Sequence, residues 1–223
     1  MREDTAFLRW IRWLLPGYAI APLGIALLVN GLGYFGIQQL QGYLHFYDFS
    51  TALDHALPFV PGFMYIYVLA FVQWTIGFLA CGREGQTFCY RYMSAELVAK
   101  VITLACFVIL PSTIARPQVT GSGLTALLSN IVYGADAPIN LFPSIHCLES
   151  YFCLRVAWKQ KKTGRVYPWI TSVFALLVFA SVVLVKQHVV IDIAGGILVF
   201  ELGLFLTRRH DFSRIYRKLE LKI

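Results

Sequence analysis

The sequence predicts an all-α polytopic membrane protein, six transmembrane helices in one bundle, and three observations carry that prediction. Of its 223 residues, 58% are hydrophobic and 14% charged, with a mean hydropathy of +0.64. That profile belongs to integral membrane proteins. Several apolar runs approach twenty residues, the length a helix needs to cross a bilayer at ~1.5 Å rise per residue. The net charge of +7 is unevenly placed, bunched at the ends and between particular runs. In a soluble chain such a balance would suggest nucleic acid; here it is a topology signal, and no nucleic-acid partner is expected.

In chain order, residues 1–15 set Arg2, Arg9 and Arg12 on one arc of a helix, with Phe7, Leu8, Trp10, Ile11 and Leu14 mostly opposite. This predicts an amphipathic helix lying in the headgroup region. Residues 16–207 hold the six spans as one domain. The first, about Pro16–Gly36, is rich in glycine, which suits close packing in lipid. A polar, aromatic-rich connection without Lys or Arg covers 37–57, and the second span is about Pro58–Ala80. The third, about Glu96–Leu110, draws on part of the preceding segment and is ended by Pro111. A long loop, 112–140, is rich in Gly, Pro, Ser and Asn. Span four is about Leu141–Trp158. The fifth includes the eighteen uncharged residues Pro168–Val185, and the sixth is Val189–Thr207. Residues 208–223 form a basic tail.

Six alternating spans sort the charge. Of nineteen Lys and Arg residues, all but Arg116 and Lys186 fall on or near the side of both termini. The positive-inside rule makes that side cytoplasmic. Arg116 and Lys186 share the opposite face with His188, which suggests that these two cations are kept for a ligand.

Lys186-Gln187-His188-Val189-Val190-Ile191-Asp192 places polar chemistry between the last two spans. His188 and Asp192 are four apart, so on a helix they share a face. A carboxylate there accepts the Nδ1 proton and leaves Nε2 free as base or nucleophile. The bland reading of the stretch is an anchoring Lys with a His and Asp satisfying each other. The long loop brings Arg116-Pro117, then Asp136, Asn140 and Pro143-Ser144-Ile145-His146 to the same face. Pro143 and Ser144 fit the first turn of a helix, whose free N–H groups attract anions. One outer pocket could therefore gather His146, His188, Asp192, Arg116, Lys186 and Ser144, with Asp136 and Asn140 as headgroup contacts. Two imidazoles beside two cations suit a phosphate attacked by one ring while the other protonates the leaving oxygen.

Pro143-Ser144-Ile145-His146 followed by His188-x-x-x-Asp192 resembles the type 2 phosphatidic acid phosphatase (PAP2) superfamily. The likeness covers roughly residues 111–196. Its wording is closest to the branch of inositol-phosphotransferase-like proteins, related to the inositol-phosphorylceramide and sphingomyelin synthases. The resemblance implies His188 as a nucleophile forming a phosphohistidine, Asp192 as its orienter and His146 as general acid. It matches Arg116 and Ser144 to phosphate-binding positions, and implies no metal and no cofactor. The sequence departs from the family pattern at Ile109 and Val182, where cations are expected, and at Ile145, where glycine is expected. Lys186 is the candidate to replace a missing cation. The implied activity is hydrolysis of a lipid phosphate or diphosphate such as phosphatidate, phosphatidylglycerophosphate or a polyprenyl diphosphate. The site would lie on the extracytoplasmic side of a bacterial plasma membrane. The alternatives are transfer of the headgroup phosphate to an alcohol, and a non-catalytic anion-binding transporter or accessory subunit.

Other polar residues have plainer readings. Cys81, Cys89, Cys106, Cys147 and Cys153 are an odd number without metal-type spacing, and read as small packing residues. His45, Asp48, Asp54 and His55 read as a solvated loop roofing the pocket. Glu149 lies one turn below His146, toward the pocket floor, and Glu201 is expected to face elsewhere.

Overall fold

The computed structural model describes residues 5–208 and 213–219. The expected positions of Arg2, Arg209 and Lys222 lie outside the described residues. The chain is built from helices: α1 (Ala6–Leu14), α2 (Gly17–Gln38), α3 (Ala52–Ala56), α4 (Met64–Glu84), α5 (Gln86–Ile109), α6 (Leu124–Ala135), α7 (Ile145–Lys159), α8 (Tyr167–Leu184), α9 (Val190–Thr207) and α10 (Ser213–Lys218). Among the described residues five helices are long and apolar enough to cross a membrane: α2, α4 with the turn before it, α5, α8 and α9. The sixth member of the bundle, α7, has only 15 residues and packs between α4, α8 and α9. On its other side α9 packs against α5, which also carries α2.

Three sequence expectations need correction. The third helix begins at Gln86, because Gly85, at φ 146°, makes the turn from α4 in a backbone region that only glycine adopts readily. The fourth begins at Ile145. Pro143 lacks an N–H and disfavours helical backbone at Phe142, so residues 141–144 stay outside the helix. The 112–140 loop contains α6, an apolar helix of twelve residues, too short to span and hidden in sequence by flanking glycines and prolines.

The connections at one end of the bundle are tied together. Strand β1 (Tyr47–Asp48) pairs in parallel with β2 (Ser112–Thr113), and Thr113 bridges to Ile139. Thr51 caps α3 in a reciprocal box with Asp54. At the other end the Arg83 guanidinium lies 3.6 Å over the Trp13 ring, holding α1 against the end of α4.

Candidate active site

The turn joining α8 to α9 is fixed before any side chain is considered. Lys186 sits at φ 51°, the left-handed position that ends many helices. Its N–H donates to Val183 O at 3.2 Å and that of Gln187 to Val182 O at 3.0 Å, the paired closure of a Schellman motif. His188 N–H donates to the same Val182 carbonyl at 3.0 Å. His188 therefore precedes α9 instead of riding on its face, which corrects the simple four-residue helical spacing. The His–Asp contact survives by another route. Asp192, in the first turn of α9, reaches back so that its Oδ2 accepts from Val189 N–H at 3.1 Å and lies 3.1 Å from His188 Nδ1. A carboxylate only accepts, so Nδ1 holds the ring proton and Nε2 is left with its lone pair. Asp192 is fully buried, and its Oδ1 has no hydrogen-bond partner.

The start of α7 is brought against this turn by two glycines. A Cβ on Gly195 would lie 2.6 Å from the Phe142 ring, and one on Gly196 would lie 2.6 Å from Ser144 O. Ser144 N–H donates to Asp192 O at 3.1 Å, and Ser144 Oγ accepts from Cys147 N–H at 3.3 Å as the helix cap. With the two backbones this close, the His146 and His188 ring centroids are 6.1 Å apart at 57°. That leaves room for one reacting centre about 3 Å from each ring. His146 stacks on Tyr67 at 4.1 Å and meets Trp74 edge-on at 4.9 Å, so its orientation is set by aromatic packing. Its Nε2 is buried without a partner.

Both histidines line a cavity of about 390 Å³ that also includes Tyr34, Phe35, Asp136 and Asn140. Most of its wall is apolar, from α2, α4 and α6. Its polar end is supplied by Asp136 and Asn140; Arg116 and Gln187 are not part of its lining and are linked to it through Asp136. Asp136 accepts a hydrogen bond from Tyr34. Arg116 donates through Nη1 to the Asp136 carbonyl and through Nη2 to Gln187 Oε1, and lies 4.8 Å over the Tyr133 ring. Burial pulls the guanidinium below its ordinary value, with Asp136 opposing. Asn140 adopts φ 59°, a conformation asparagine tolerates. Both its amide atoms, with Arg116 Nε and Gln187 Nε2, are buried without partners. Groups in that state need a ligand or water.

Lys186 and Ser144 are placed differently from the rest. Lys186 Nζ donates to Asp54 O at 2.8 Å and Leu57 O at 2.7 Å, so its ammonium ties the turn to α3. It lines a separate hollow of about 200 Å³ with Asp48, Ser50, Asp54 and His55, and His188 forms part of both walls. Ser144 is completely buried, and its oxygen is occupied with capping. Asp54 is no solvated loop residue. It is buried and accepts Val190 N–H at 2.7 Å, clamping α3 to the start of α9. Although burial works to raise its pKa, bonds from Thr51 and Val190 and the Lys186 charge hold the carboxyl below its ordinary value. Glu201 turns away from the cavity to Tyr151 and Arg155. The five cysteines are free, and all but Cys106 are buried. Sequence reasoning passed over Tyr34, Tyr67 and Gln187; only Gln187, beside His188, stood in a stretch that could have revealed it.

The family model of the PAP2 superfamily matches residues 43–206, a span that includes both histidines, Asp192 and Arg116. No curated protein and no solved structure matches the chain. The match supports a phosphoesterase-type enzyme of the phosphatase or phosphotransferase kind, acting on lipid phosphates. With about three-quarters of its length covered, from the first loop through α9, the chain belongs to the PAP2 superfamily.

Proposed function

We propose that the protein hydrolyses a lipid phosphate or diphosphate through a phosphohistidine on His188, at the extracytoplasmic face of its membrane. The observation that carries this reading is the pair of imidazoles 6.1 Å apart on the wall of a mostly apolar cavity, one of them oriented by Asp192. The lipid portion fits the apolar wall, and the phosphate fits the end where Asn140 keeps both amide atoms unsatisfied and Arg116 stands bonded to the Asp136 carbonyl. His188 Nε2 attacks phosphorus as the bond to the lipid oxygen breaks, and His146 gives that oxygen its proton. Water then attacks the phosphohistidine, His146 takes the water proton, and inorganic phosphate leaves. Asp192 offsets the charge on the modified ring throughout.

Phosphate release by the purified protein from a panel of phosphatidate, phosphatidylglycerophosphate and polyprenyl diphosphates tests the proposal. We expect His188→Ala to abolish release and His146→Ala to slow it by about 10² to 10⁴. Release by folded His188→Ala at the wild-type rate would exclude this site. A second reading, transfer to an alcohol, is favoured by the polar hollow behind His188. It predicts a phosphorylated alcohol in place of free phosphate when polyols are supplied.

A further inference from the structure

The cavity shared by the two histidines opens sideways. Phe35 on α2, Phe71 on α4 and Ile131 on α6 line it, yet are 61%, 53% and 57% exposed. Helices α2 and α4 meet at the far end of the bundle. There Tyr18 donates to Gly82 O at 2.8 Å, and a Cβ added to Gly82 would lie 3.1 Å from Ala19. Toward the histidines the space between α2 and α4 belongs to the cavity. Tyr34 ties α2 at that end to Asp136, the residue that closes α6.

A second hollow, shallow and apolar, runs along the outer surface of α2 between Leu27 and Gln39. It shares Gly31 and Phe35 with the cavity, so the two are continuous. Leu27 stands about two turns deeper in the span than Tyr34, which marks the polar end. A lipid has the same polarity, with its phosphate at the membrane surface and its chains toward the bilayer's middle. Gly31 answers no need of packing or backbone. It lies within a regular helix, and an added Cβ meets nothing within 4 Å, unlike Gly33, where it would run into Leu104. What glycine leaves at 31 is room where cavity and groove meet. Helix α2 also precedes residues 43–206, so this wall is no part of the stretch matched to the PAP2 superfamily.

We propose that this portal receives one hydrocarbon chain of the substrate, which passes from the cavity over Gly31 into the groove on α2 while the phosphate stays at the histidines. The inference rests on reading the substrate as a lipid phosphate. Gly31 and Phe35 are then specificity-determining residues, and α2 selects lipids by their chains. Tyr34, through its bond to Asp136, holds the edge of the portal nearest the phosphate.

The test uses the full chain in phosphatidylcholine nanodiscs and two photoactivatable probes, a phosphatidate and a polyprenyl diphosphate, each with a diazirine in its chain. His188→Ala keeps both probes intact. We expect crosslinks at residues 31–35 and at Ile131 that an excess of the same unlabelled lipid removes. Competed crosslinks confined to α8 or α9, or none that compete, overturn the proposal. In the active protein Gly31→Trp is expected to lower kcat/KM at least about tenfold for whichever of the two lipids is hydrolysed faster. Gly24→Trp, away from both hollows and with nothing within 4 Å of an added Cβ, should match the wild type. Should Gly31→Trp not accumulate as folded protein, Ile131→Trp takes its place from the opposite lip, and a wild-type kcat/KM in the folded variant overturns the idea. Competed crosslinks at the portal without hydrolysis of any lipid phosphate would sink the phosphatase reading alone. Hydrolysis with competed crosslinks elsewhere would sink this inference alone.

Discussion

Lys186 occupies a backbone position that helices commonly give to glycine, and its side chain explains why it stays there. Left-handed backbone costs a residue with a Cβ about 1–2 kcal/mol, and the ammonium offsets this with hydrogen bonds to Asp54 O and Leu57 O. The two contributions can be separated. Lys186→Ala loses the tether and keeps the strain, whereas Lys186→Gly loses the tether and relieves it. We expect both to melt below the wild type in detergent, with the glycine variant more stable than the alanine variant by about 1 kcal/mol. An alanine variant as stable as the glycine variant would refute the strain argument. The sequence exposed Lys186 as an unusual cation on its face of the bundle, but not its partners, which lie well over a hundred positions upstream. His188 and Asp192 were legible because carboxylate and imidazole four positions apart meet either along a helix or, as here, across a helix start. Lys100 was misread. The charge sorting groups it with the cytoplasmic cations, yet it stands past the middle of α5, fully buried against Glu149.

At the scale of elements, the site depends on α9 passing the start of α7 with backbones nearly touching. Gly196 is the critical point, because an added Cβ would meet Ser144 O at 2.6 Å and Leu148 N at 2.9 Å. Both are backbone atoms of the segment that carries His146, so the clash is relieved only by displacing that histidine. A misplacement of about 1 Å at a catalytic group costs on the order of 10²-fold in rate. We therefore expect Gly196→Ala to lose at least tenfold in phosphate release. Gly24→Ala on α2, where nothing lies within 4 Å, should leave the rate unchanged. Equal rates for the two variants would show that the approach of α7 to α9 does not govern the chemistry. The spans themselves could be read because long apolar runs have one way to satisfy their backbone in lipid. The glycine pair could not, since a small residue in an apolar run fits loose packing as well as close contact. The same ambiguity hid α6, whose twelve residues lie between glycine-rich and proline-containing segments.

For the molecule as a whole, the end that bears both histidines is one assembly of three connections. Tyr47 N–H donates to Pro111 O at 2.9 Å, β1 pairs with β2, Val60 N–H donates to Leu184 O at 2.9 Å, and Lys186 and Val190 bind Asp54 and its neighbours. Whichever membrane face receives one of these connections receives both histidines. The connection between α7 and α8, with Lys159, Lys161, Lys162 and Arg165, is reached from the site only by traversing α7 or α8, so it lies at the opposite end. From that polarity the positive-inside rule predicts an orientation, with the lysine-rich turn cytoplasmic and the histidines outside. Exposed positions test it directly: Tyr43, 89% exposed in the first connection, and Lys161 in the lysine-rich turn. In intact cells a membrane-impermeant maleimide should label Tyr43→Cys, and should label Lys161→Cys only after permeabilisation. Four of the native cysteines are buried, and the unsubstituted protein sets the background for Cys106. The reverse labelling pattern would put both histidines at the cytoplasmic face and remove outer-leaflet lipids as substrates. The same phosphoryl chemistry would then have to act on lipids of the inner leaflet.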